Sequence, residues 1–237
     1  MGEVSVNGHR GRHLQRVEDS ILFGVSFLTF LLAAYYLVFR LDFVSIDVVP
    51  RIAYLYFSLF NNQPSLAPAL FAWPPLPTFL LLPLILNKAL ATTTFAANLL
   101  SCLFGALSCV YLNKLLRFCG VERAISLSFT FLFGASPLIF FYAVNGSSEV
   151  LSVFLLLASL YYTIRWIKLG QNVDLFTIGF PYLFLVFTSY EAAGFILLLL
   201  VIIYFFLRFQ KRKGVLEIQA DLIIMIAPLL WGAILWI

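Results

Sequence analysis

The sequence alternates uncharged apolar runs, each about as long as a bilayer is thick, with short links that carry most of its basic residues. The run from Ser20 to Phe39 contains no charged residue. Crossing roughly 30 Å of hydrocarbon takes about 20 apolar residues in a helix. Backbone amides inside hydrocarbon have no water to bond, so each run must satisfy its own N–H and C=O groups. Composition agrees: 62% of the 237 residues are hydrophobic and 11% are charged, with a mean hydropathy of +1.00. Soluble chains carry about 25% charged residues. The sequence therefore predicts an all-α, polytopic transmembrane protein with room for six to eight spans and for no soluble domain.

A polar leader occupies 1–19 and reads as flexible and cytoplasmic. About seven spans are expected, at 20–39, 91–113, 124–143, 149–167, 174–190, 192–208 and 220–237. Pro137 and Pro181 are expected to kink their helices. With the N-terminus inside, twelve of the 15 Lys and Arg residues fall in inner links; only Arg40, Arg51 and Lys88 lie outside. That bias follows the rule that cytoplasmic links are basic. The net charge of +4 thus reports orientation in the membrane and gives no footprint for nucleic acid. Cys102 and Cys109 are seven apart on one helical face and read as small hydrophobes. Neither a disulfide framework nor metal-ligand spacing is visible, and the sequence names no particular cofactor. The last run, Leu222 to Ile237, ends without a cap or polar tail, as expected of a chain that continues.

The first outer loop, with the short helices that follow it at 40–90, breaks the apolar pattern. It contains Asp42, Asp47 and Arg51, a polar hinge at Asn61-Asn62-Gln63-Pro64, and the amphiphile Trp73-Pro74-Pro75-Leu76-Pro77. Residues 51–60 are too few to cross, and Pro50 suits a first helical turn. The four aromatics Tyr54, Tyr56, Phe57 and Phe60 suit the headgroup level. The run 76–87 is short and holds Pro77 and Pro83, so it reads as re-entrant or as lying along the membrane. On this topology Asp42, Asp47, Glu149 and Glu191 all reach the outer face. That is the pattern of an extracytoplasmic acidic site built between helix ends. Each acid also has a plainer reading: Asp47 as a helix cap, Asp42 as the end of the first span, Glu149 as a partner of a helix dipole, and Glu191 as part of a hairpin turn.

Four pieces, in this order and spacing, carry a resemblance: Ser45-Ile46-Asp47-Val48-Val49-Pro50-Arg51; Trp73-Pro74-Pro75-Leu76-Pro77; Tyr142-Ala143-Val144-Asn145-Gly146-Ser147-Ser148-Glu149; and Phe187-Thr188-Ser189-Tyr190-Glu191. Over 20–237 the chain resembles the N-terminal membrane portion of the GT-C superfamily of glycosyltransferases. The nearest branch is family 39, which includes protein O-mannosyltransferases and the lipid A aminoarabinose transferase. The resemblance implies transfer of a sugar from a polyprenyl-phosphate-linked donor to an extracytoplasmic acceptor, which is a protein, lipid or glycan. It implies that Asp47 is the catalytic base and that Glu149, Tyr190 and Glu191 shape the substrate site. Arg51 and Lys88 are the candidate cations for the lipid phosphate. The family often has a basic residue before the Tyr-Glu pair; here that residue is Ser189. Two other classes stay open: a transporter component, which lacks the expected inverted repeat, and a non-catalytic membrane subunit that keeps the fold.

Overall fold

In the computed structural model residues 3–60, 74–211 and 214–236 are described, and every regular element among them is an α-helix. The Asn61–Pro64 hinge and Trp73 lie outside them. In chain order the helices are α1 (Glu3–Arg40), α2 (Val48–Phe60), α3 (Pro75–Ile85), α4 (Lys88–Thr92), α5 (Phe95–Phe118), α6 (Arg123–Ala135), α7 (Pro137–Val144), α8 (Glu149–Leu169), α9 (Asn172–Thr188), α10 (Ala192–Phe209) and α11 (Val215–Trp236).

Five stretches are long and apolar enough to cross a membrane: Gln15–Arg40, Phe95–Phe118, Glu149–Leu169, Ala192–Phe209 and Val215–Gly232. The pair α6–α7 makes a sixth if counted as one bent span. The chain is thus a multi-pass helical membrane protein, with five to six such spans among the described residues. The remaining expected span, at 174–190, appears as α9, which has 17 residues. It stops at Thr188 because Ser189 turns extended, with φ −151° and ψ 121°. The leader also differs from expectation: the helix of the first span continues back to Glu3. Extending a helix that already exists avoids the cost of a new nucleus. At 76–87 the helix α3 is 11 residues long and passes through Pro83, too short to cross, as the sequence predicts.

Pro137 breaks the run at 124–143 into two helices that meet at 63°. A residue before proline is driven out of the α region, and Ser136 sits at φ −61°, ψ 136°. Pro137 then opens α7 at a position where its missing N–H costs nothing. Pro181, by contrast, is carried within α9.

The chain divides into two compact units, residues 1–52 with 84–150, and residues 53–83 with 151–237. In the first unit Phe30, Ala34 and Val38 form a buried stripe along α1. The facing stripe on α5 is small: Asn98, Ser101, Cys102, Gly105, Ala106 and Cys109 are all buried. Lipid tails are as apolar as leucine, so helices in a bilayer gain most from close backbone approach and packing. Gly105 permits that approach. A Cβ placed there would lie 2.6 Å from Ala143 Cβ on α7 and 3.2 Å from the Phe30 ring. Farther along, Ser126 Oγ donates to Asn113 Oδ1 at 2.7 Å, a buried bond that joins α6 to α5. At this same end Glu18 and Asp19 of α1 hold the basic residues of the α5–α6 link: Arg123 Nε reaches Glu18 at 2.7 Å, while Arg117–Glu18 and Lys114–Asp19 are each 3.7 Å.

In the second unit α9, α10 and α11 pack together. A side chain at Gly179 would collide with Pro228, and one at Gly232 with Leu183. Asp174, 2% exposed, pairs with Arg165 at 3.2 Å and ties the start of α9 to the end of α8.

Gly105→Ala should force α5 and α7 apart and cost roughly 1–3 kcal/mol, the range for overpacking. Its thermal midpoint in detergent should fall, and Gly105→Ala with Ala143→Gly should recover part of the loss.

Candidate functional site

The first unit has a polar end built on two irregular stretches, 41–47 and 145–148. Asp42 closes α1 with a positive φ of 51°, a conformation Asp tolerates better than most residues. The Phe43 N–H reaches back to the Leu37 carbonyl at 3.1 Å and satisfies one of the open groups at the helix end. The Phe43 ring packs edge-on against Phe141 at 5.8 Å, which fixes the loop to α7. Asp47 is exposed and immediately precedes α2.

Helix α2 turns one face inward: Val48, Arg51, Ile52 and Leu55 are buried, while Tyr54, Phe57 and Phe60 are exposed. The periodicity brings a cation in with the apolar set. Arg51 is 6% exposed. Guanidinium stays protonated in proteins, and burying it without compensating charge is costly. Burial pushes Arg51 down from its ordinary range; Glu149 and then Asp47 oppose that shift. The three charges therefore form one electrostatic group, with the guanidinium inside and both carboxylates on exposed residues.

The second stretch holds Glu149 in place. Asn98 Nδ2 donates to the Val144 carbonyl at 2.6 Å, and Ser101 Oγ accepts the Gly146 N–H at 3.2 Å. The Asn145 side chain accepts the Ser147 N–H at 2.9 Å. Gly146 sits at φ +84°, where a Cβ would lie 3.2 Å from both Ala97 Cβ and Val48 Cγ2. Only a glycine lets this turn seat itself on α5 and against the first residue of α2. Glu149 follows as the first residue of α8, where a carboxylate suits the helix dipole. Val150 behind it is fully buried in the cluster that includes Phe30 and Ala106.

Lys88 also belongs to this unit, as the exposed first residue of α4; Asn87 caps that helix by accepting the Ala89 N–H at 3.1 Å. Tyr190 and Glu191 belong to the second unit. Both are exposed and form the tight link between α9 and α10, with Ala193 N–H donating to the Tyr190 carbonyl at 3.2 Å. The structure thus brings Asp47, Arg51 and Glu149 together within one unit, and gives Glu191 a hairpin turn. Among the described residues no group of three or more His, Cys, Asp or Glu side chains could hold a metal ion.

Asn98 and Ser101 are absent from the site read off the sequence. The signal was present: two polar residues three apart in an apolar run must find partners. Which partner they would find depends on the return of the chain at 144–146.

No family model, no curated protein and no solved structure matches this chain. The fold defines its class as an all-helical, multi-pass membrane protein, with a buried arginine and two exposed carboxylates at one end of its first unit.

Gly146→Ala should lower the thermal midpoint more than Gly120→Ala. Both glycines have positive φ, but Gly120 has open space around it. Strain alone costs about 1–2 kcal/mol; only Gly146→Ala must also displace its neighbours.

Proposed function

We propose that this protein is a membrane glycosyltransferase that moves a sugar from a polyprenyl-phosphate-linked donor to an extracytoplasmic acceptor with inversion. The observation that carries this reading is the grouping of Asp47 and Glu149 with buried Arg51, on two of the four sequence pieces that carry the resemblance to the GT-C family.

The chemistry needs little from the protein. Lipid phosphate is a good leaving group, so no strong acid is required. The acceptor hydroxyl attacks the anomeric carbon as the bond from that carbon to the phosphate oxygen breaks. The hydroxyl proton passes to the Asp47 carboxylate. A positioned base of this kind contributes roughly 10²–10⁴-fold. Arg51 offsets charge as the phosphate departs. Glu149 shares Arg51 and frames the acceptor side. Lys88 is a further candidate substrate contact within the same unit. In this reading α9 is a short seventh span, the N-terminus is cytoplasmic and the active face is extracytoplasmic. The basic inner links support that orientation.

Asp47→Asn should lower sugar transfer at least ~100-fold while the protein inserts and accumulates as the unmutated form does. Transfer at the unmutated rate in that variant removes Asp47 from the reaction.

A further inference from the structure

The break between α6 and α7 opens a groove of about 500 Å³ in the first unit. Leu22, Val25 and Phe30 of α1 line it, with Phe131 and Ala135 of α6 and Phe140 of α7. Its size falls within the range of ordinary ligand pockets. No charged residue lines it. Its hydroxyls are already engaged: Thr29 donates to the Val25 carbonyl at 2.8 Å, Thr130 donates to the Ser126 carbonyl at 2.9 Å, and Ser26 hydrogen-bonds with Cys109. An occupant therefore needs no polar group and gains only by apolar contact.

The depth of the groove identifies the occupant. Its α1 lining begins three residues past Asp19 and its α6 lining ends twelve residues past Arg123, and those two residues belong to the ion-paired end of the unit. At 1.5 Å per residue the groove runs from roughly 5 to 18 Å above that end, measured along the helix axes. One leaflet contributes about 15 Å of hydrocarbon. The span matches a single acyl chain whose headgroup rests level with Lys114, Arg117 and Arg123. Arg123 is the cation most available to a phosphate there, with 65% of its side chain exposed.

We propose that this groove holds one acyl chain of a phospholipid from the leaflet that meets the ion-paired end. The chain fills the wedge that a straight helix would otherwise occupy and holds the 63° bend open. Gly134 shapes the floor: a Cβ there would lie 3.1 Å from Cys109 Sγ. This inference does not depend on the sugar-transfer reading.

The test uses the full protein in phosphatidylcholine vesicles containing a trace of phosphatidylcholine with a photoreactive diazirine midway along one acyl chain. Label should concentrate on peptides containing 22–30 and 129–140, at least fivefold above the exposed apolar face of α10. Val25→Trp and Ala135→Trp, each made separately on an exposed residue, should remove that excess and leave the label on α10 unchanged. Even labelling of all apolar faces, or label that persists in both variants, overturns the proposal. So does displacement of the label by a tenfold excess of polyprenyl phosphate, which would assign the groove to an isoprenoid chain.

Discussion

A backbone amide inside hydrocarbon must find its partner within the protein. Helices meet that requirement along most of this chain, and the places where the chain leaves the helix show how it is met otherwise. At Ser136 the break is closed locally: its N–H donates to the Phe133 carbonyl at 3.2 Å and its carbonyl accepts from Phe140 at 2.9 Å. At 144–147 closure is borrowed from α5, through Asn98 and Ser101. The second solution costs two polar residues in an apolar run, and it fixes where the returning chain must lie. That fixed return is what places Glu149 near the start of α2.

Small residues do the complementary work. The α1–α5–α7 core is close because Gly105, Ala106, Ala143 and Ala34 leave little between backbones. Close approach gives dispersion contacts that lipid cannot replace, and it seats the Gly146 turn where Val48 meets it. The buried cation follows from the same geometry. Arg51 is drawn inward by the apolar face it shares with Val48 and Leu55, and two carboxylates oppose part of the cost. The grouping of Arg51 with Glu149 and Asp47 links the packing of the first unit to the proposed chemistry.

Much of the architecture was legible because hydropathy and length are strong signals. The boundaries of α8 and α10 fall within two residues of expectation, and Pro137 announced its break. One feature was harder to read. The inner basic residues read only as orientation signals, yet Lys114, Arg117 and Arg123 meet Glu18 and Asp19 in space. Those pairs join residues about a hundred positions apart, so local pattern could not show them. For the candidate site, the residue types and the helix-end positions were visible in the sequence. The burial of Arg51 and the bonds from Asn98 and Ser101 were not, because they depend on packing between distant segments.

The central claim is sugar transfer from a lipid-phosphate donor, and its most direct test follows the leaving group. Membranes from cells that make the protein can be supplied with a panel of radiolabelled polyprenyl-phosphate sugars and an envelope extract as the acceptor source. The account predicts acceptor-dependent release of free polyprenyl phosphate for at least one donor, above membranes that lack the protein. No release with any donor, together with protein-dependent solute flux across the same membranes, would contradict it and favour a transporter.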